Sequence, residues 1–296
     1  MRPSGLATSS DDTAIHDLGY RRYDGAHIGA AGAWRALYGQ GLRSLFGLGR
    51  SAKAKILPVF VLIATLLPTL AILAASSASA GMVPVRYGQL IVGHLILFTL
   101  FVAAQAPEVL SRDQQHHVLP LLFTREVTRT SYATARLAAM ATALFAMACA
   151  PLLLMYIGEI GLAVKPSEAF ARMGGKIGPV LLQSSVTAVT LSGIGAALAA
   201  WTSRRAYATA AIIGAFLAAT AVSTGLDDLA GVPARTAELL DPLRALHTMA
   251  LILFDEPTRG MELDPPGSVW GYMLPLLAMG AAGAAVLQLR LRKIGV

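Results

Sequence analysis

Six apolar runs, each long enough to cross a lipid bilayer, constrain this chain more than any other feature. A hydrocarbon core of roughly 30 Å takes about 20 helical residues at 1.5 Å rise. Ile56–Ala80, Tyr87–Ala106, Leu137–Gly158, Ile177–Trp201, Ala206–Leu226 and Ser268–Leu289 all meet that length. The 296 residues are 55% hydrophobic and only 14% charged, whereas soluble domains are about a quarter charged. The expected fold is an all-α integral membrane protein of six spans.

The first run ends in the small residues Ala74–Gly81, which imitate a signal-peptidase site. It begins only at Ile56 and is longer than the roughly 7–15 apolar residues of a secretory leader. A retained anchor is the expectation. The net charge is +7, but no basic groove with interleaved aromatics appears, so nucleic acid is not the expected partner. Cys149 is the only cysteine, which excludes an intrachain disulfide and a cysteine-built zinc site.

Residues 1–26 read as a polar cytoplasmic tail and 27–55 as an amphipathic interfacial region. Within the latter, Trp34, Leu37, Tyr38, Leu42, Leu45 and Phe46 recur at helical spacing over Ala33–Arg50, with Arg35, Gln40, Arg43 and Arg50 opposite. A cationic helix with an aromatic apolar side is expected to lie in the membrane interface. Residues 56–289 hold the spans, and 290–296 form a basic tail.

Basic residues set the expected orientation. Arg35, Arg43, Arg50, Lys53 and Lys55 precede span one, and Arg112, Arg125, Arg129 and Arg136 separate spans two and three. Arg204 and Arg205 separate spans four and five, while Arg290, Arg292 and Lys293 follow span six. If every run crosses, all four groups share one side, which the positive-inside rule makes cytoplasmic, both termini included. Pro242–Phe254 is a shorter apolar run, opened by Asp241 as N-cap and Pro242 at the first helical position. At about 13 residues it is too short to span and reads as an external or re-entrant helix.

Chemistry-bearing patterns are few. Phe254–Pro265, FDEPTRGMELDP, imitates part of an ATPase magnesium and water site, but no phosphate-cradling G-x-x-x-x-G-K-[ST] accompanies it. The likeness reads as chance in an acidic loop, and this chain is not expected to hydrolyse ATP. His116 and His117 are adjacent, pointing about 100° apart on a helix, which suits no shared metal ion. Intramembrane ionisable groups are candidates for function, which singles out His94. Gln183, Thr187 and Thr190 share one helical face and either line a polar pathway or bond neighbouring helices. Gly193, Ala197, Ala196 and Ala200 make small-x-x-x-small pairs suited to close helix packing.

The connection Pro107–Tyr132 is charged, proline-bearing and helix-prone, where a short loop between spans would suffice. Its run Leu110-Ser111-Arg112-Asp113, then Leu119-Pro120-Leu121-Leu122-Phe123-Thr124-Arg125 and Val127-Thr128-Arg129 up to Tyr132, resembles the signature of the ABC-2 type transport permeases. Glu126 and Thr124 stand where that family commonly has proline and serine, and Asp17–Gly25 is similar to the opening of actinobacterial-type members. The resemblance implies a permease subunit in a bacterial plasma membrane. It would be paired with a second permease, identical or related, and with two separate cytoplasmic ATPase subunits that carry ATP and magnesium. It further implies that the connection is a coupling helix docking in the ATPase. Carried onto this chain, the contact falls on Glu108, Arg112, Asp113, His116, His117, Leu119, Leu122, Arg125 and Arg129. No cofactor is expected on the chain itself. The competing expectation is a stand-alone secondary carrier or channel, against which stand the scarcity of charge inside the spans and the lack of evident inverted repeats.

Overall fold

Where water cannot satisfy a backbone, the chain must bond to itself, and helices do so within one segment. The computed structural model describes residues 29–79, 84–115, 122–123, 127–202, 204–227, 233–256 and 268–293, and the elements among them are helices. In chain order they are α1 (Gly29–Leu45), α2 (Ala52–Ala78), α3 (Tyr87–Val109), α4 (Ser111–Gln115), α5 (Arg129–Gly161) and α6 (Pro166–Met173). There follow a 3-10 turn (Gly174–Lys176), α7 (Ile177–Ala199), α8 (Arg205–Asp227), α9 (Ala234–Leu240), α10 (Pro242–Leu253) and α11 (Val269–Lys293). Among the described residues six helices, containing α2, α3, α5, α7, α8 and α11, are long and apolar enough to cross a membrane. This is a multi-pass membrane protein.

Contacts between helix ends fix the alternation of the bundle. At one end, Glu108 near the close of α3 pairs with Arg50 ahead of α2 and with Arg205 opening α8. There too Ser111 donates to the Ala199 carbonyl at the end of α7, and Arg129 opening α5 donates to the Arg292 carbonyl near the end of α11. At the far end, Gly158 of α5 abuts Leu73 of α2, Tyr87 opening α3 bonds Glu159 of α5, and Thr220 of α8 bonds Asp241 ahead of α10. Successive spans therefore run in opposite directions; Arg50, Arg112, Arg129, Arg205 and Arg292 gather at one end, and Lys165, Arg172 and Lys176 lie at the other. Aromatic side chains mark the two boundaries: Trp201 and Tyr207 are exposed at the basic end and Trp270 at the far end, the usual places for interfacial aromatics. From Trp270 to Arg290 is about 30 Å of helix.

Helices α3 and α7 form the centre. Two-thirds of the apolar window of each is buried, against 28% for α2 and 17% for α8. In lipid, close packing and small residues hold helices together. Gly193 of α7 meets the backbone of Gly280 and Gly283 of α11 so closely that a Cβ at any of the three would strike main chain. Thr190 reinforces that crossing by donating to the Leu276 carbonyl at 3.1 Å. The outer helices α2 and α8 instead turn Ile56, Phe60, Ile63 and Leu67, and Tyr207, Leu217 and Val222, to their surroundings.

Three expectations need correction. The first concerns α1, which stops at Leu45 instead of running to Arg50. Gly47, at φ +66°, adopts the left-handed conformation that ends helices: Leu48 N–H bonds the Arg43 carbonyl at 2.8 Å and Gly47 N–H the Ser44 carbonyl at 3.0 Å. A Cβ there would also lie 2.7 Å from the Ala54 backbone. The second concerns what the apolar face of α1 covers. Leu37 and Leu45 join the protein core, Trp34 donates to Thr134 at 3.1 Å and Tyr38 to Thr142 at 3.1 Å. The face expected in the membrane interface thus packs largely on α5.

The third concerns α5, which starts eight residues before the apolar run because Thr128 caps it, its hydroxyl accepting from Ser131 N–H at 3.0 Å. Beyond α8, the capping role read for Asp241 and Pro242 is present: Asp241 accepts from Leu243 N–H at 2.9 Å. Helix α10 is wedged against α3, α7 and α11, and its Leu246 carbonyl accepts from Gln183, six residues into α7. That places it about 9 Å inside the far end without crossing.

Candidate functional site at the basic end

A carboxylate taken out of water must be paired, because the isolated charge costs several kcal/mol. Glu108, with a side chain only 6% exposed, is paired three times over. Arg112, one turn on, lies 2.9 Å from Oε1, Arg205 lies 3.1 Å from Oε2, and Arg50 also contacts Oε1. These guanidiniums come from α4, the start of α8 and the turn before α2. Ser111, fully buried beside them, ties the same root to the end of α7 at 2.8 Å.

Asp113 anchors a second node. Its Oδ2 accepts from the Tyr132 hydroxyl at 2.8 Å and from Arg136 Nη2 at 2.8 Å. Arg136 is 4% exposed and also donates to Gln40 Oε1 at 2.9 Å, while its guanidinium lies 5.4 Å from the Tyr132 ring centre. Further out, Phe123 meets Tyr132 edge-on, and Arg129 lies over the Phe123 ring at 5.6 Å. Through these two nodes the root of the segment after span two is bound to α1, α5, α7, α8 and the approach to α2. A force on it cannot move α3 alone.

Of the residues expected to meet a partner, Glu108 and Asp113 are turned into the chain, so their carboxylates are engaged internally. Arg112 is half-exposed, Leu122 is half-buried against the protein's own core, and Arg129 is partly buried. His116, His117, Leu119 and Arg125 lie outside the described residues. Ser111, Arg50, Arg136, Gln40 and Arg205 also belong to the arrangement, although the sequence marks Ser111 only within the family-like signature and the others only for topology or helix patterning. Arg136 offered one signal, a lone cation one helical turn from Tyr132 at the edge of an apolar run.

The polar residues within the spans have quieter surroundings. Gln183, Thr187 and Thr190 are all buried. Gln183 bonds the Leu246 carbonyl at 3.0 Å and Thr190 the Leu276 carbonyl, so these two hold α10 and α11 to α7. No cavity described for the chain is lined by any of the three. His94 borders a cavity of about 620 Å³ between α2 and α3, with Pro68, Ile72, Arg86 and Gln89, and its Nε2 lacks a hydrogen-bond partner among the described residues. No group of three or more metal-ligating side chains occurs among the described residues.

The acidic stretch that imitates an ATPase site has a different task where it is described. Glu256 accepts from the N–H groups of Gly88 at 2.9 Å and Gln89 at 3.2 Å, an anion on the N-terminus of α3. The remainder, from Pro257, lies outside the described residues. No protein-family model matches the chain, and no curated protein matches it.

Proposed function

We propose that the chain is the membrane subunit of an ATP-driven exporter of the ABC-2 type, set in a bacterial plasma membrane with both termini cytoplasmic. The observation that carries this reading is the anchoring of the segment after span two. Glu108, Ser111 and Asp113 tie its root to five other parts of the bundle. Such a root suits a handle on which a cytoplasmic ATPase pulls. Hydrolysis of ATP with magnesium belongs to that partner. This chain contributes the contact surface, on Arg112, His116, His117, Leu119, Leu122 and Arg125, and the rigid transmission behind it. Glu108 and Asp113 are positioning residues in this scheme, because their carboxylates hold the root and do not face the partner.

The two least buried spans, α2 and α8, flank α3 and carry apolar outer faces, which supports a second permease subunit packing there. Closing the ATPases would then shift these helices relative to those of the second subunit and release substrate outward. Such coupling requires contacts that differ between the two states.

The test is purification of the tagged chain in mild detergent from its native membranes. An ABC ATPase is expected to co-elute, and the change His116→Glu, His117→Glu, which spares the Arg112–Glu108 pair, is expected to release it while leaving the thermal midpoint of the chain unchanged. Elution without an ATPase, or retention of it by the double variant, contradicts the proposal.

A further inference from the structure

Arg35, Gly39 and Arg43 fall four residues apart on α1 and so share one face. That face borders a cavity of about 670 Å³, completed by the turn before α2 and by α4, with Gln40, Arg50 and Arg112 on its walls. Gly39 and Gly49 leave it open: a Cβ at either would meet nothing within 4 Å. The volume lies in the range of ligand sites, about 300–1,000 Å³.

The charges there do not balance. Arg50 and Arg112 share Glu108 with Arg205, and Asp113 is taken by Arg136. Arg35 and Arg43 have no ion pair among the described residues. Among the described residues five arginines therefore line this cavity and the adjoining one of about 410 Å³ against two carboxylates, one of which Arg205 also shares. Guanidinium groups crowded in this way repel one another unless an anion sits among them, and their forked donors match phosphate oxygens.

We infer that this cradle binds the phosphate headgroup of an anionic membrane lipid. A phosphate in solution shares the chemistry, but the surroundings favour the lipid. The exposed Leu48 lies on the cavity wall, and α2, starting two residues beyond Arg50, turns Ile56, Val59 and Phe60 outward. Apolar surface for acyl chains thus begins beside the cations. Basic pockets at the cytoplasmic ends of spans meet the anionic leaflet. The inference rests on the orientation of the bundle and not on an ATPase partner.

The test uses the full chain in nanodiscs of phosphatidylcholine, with and without phosphatidylglycerol, read by thermal midpoint and by lipid retained in native mass spectrometry. Phosphatidylglycerol is expected to raise the midpoint and to remain bound. The double change Arg35→Gln, Arg43→Gln, which spares the Glu108 pairs, is expected to abolish the shift and weaken retention roughly 30-fold. The change Lys53→Gln, Lys55→Gln removes equal charge outside the cavity and is expected to leave both readouts in place. The site is overturned if the arginine pair can be replaced without effect, or if the lysine pair matters as much. It is also overturned if inorganic phosphate or glycerol phosphate in plain phosphatidylcholine reproduces the shift.

Discussion

The two ends of the bundle differ in how many cations gather around each carboxylate. At the basic end Glu108 and Asp113 are outnumbered by guanidiniums recruited from distant segments. At the far end three carboxylates lean on neutral donors, Glu256 on the N–H groups of Gly88 and Gln89, Asp241 on Leu243 N–H and Thr220, and Glu238 on the Tyr272 hydroxyl at 2.7 Å, while Asp227 pairs one-to-one with Arg244 and Glu168 with Lys165. Glu159 accepts from Tyr87 at 2.8 Å, with Lys176 at 3.7 Å. Bonds of the second kind join one acceptor to one or two neutral donors, mostly on another helix, so they lock helix ends together. The first kind leaves cationic capacity for an incoming anion or protein. One end is built as a clasp and the other as a socket.

The largest expected effect breaks the socket from within. Asp113→Ala leaves Arg136 buried without its counter-charge and is expected to lower stability by about 3–5 kcal/mol, read by thermal unfolding in nanodiscs. Asp113→Asn, which keeps an acceptor for Tyr132 and Arg136, is expected to lose less. Equal losses in the two variants would mean that the charge itself contributes nothing. Next comes the clasp: Glu256→Ala removes the anion and both bonds at the start of α3, with an expected loss of about 2 kcal/mol. A loss matching that of Asp113→Ala would erase the distinction between the ends. Tyr272→Phe removes one hydroxyl from Glu238 and is expected to cost about 1 kcal/mol in the same measurement.

The smallest effect is a pH dependence confined to the far end. Burial holds the His247 imidazole on α10 below its ordinary value of 6.5. Its contribution is therefore present above that value and is lost as the pH falls below it, because the unfolded chain then binds the extra proton. Stability is expected to drop on acidification through this window, and His247→Gln is expected to flatten the drop. An unchanged pH profile in the variant would assign the dependence elsewhere.

How much of this was legible in the sequence depends on the range of the cause. Six spans, the Asp241 cap and the close approach at Gly193 follow from run length and local residue types, and each is present. The end of α1 at Gly47 was readable in principle, since a glycine within a helical pattern near a cluster of small residues signals a stop. What covers the apolar face of α1 was not readable, because periodicity identifies the face and not its partner. The Glu108 node joins residues 50, 108, 112 and 205, a convergence that only the packed bundle creates. Glu256 was hidden for another reason: its tripeptide imitated a different chemistry, while its target, the N-terminus of α3, lies 168 residues away.

The central claim is that the segment after span two lies inside the cell while α6 lies outside. Single cysteines at Gln115 and Ser167, both exposed, placed in a Cys149→Ala background, test it with a membrane-impermeant maleimide applied to intact cells. Ser167→Cys is expected to react at once, and Gln115→Cys only after permeabilisation. Labelling of Gln115→Cys in intact cells, with Ser167→Cys protected, would invert the bundle and remove the basis for a cytoplasmic handle.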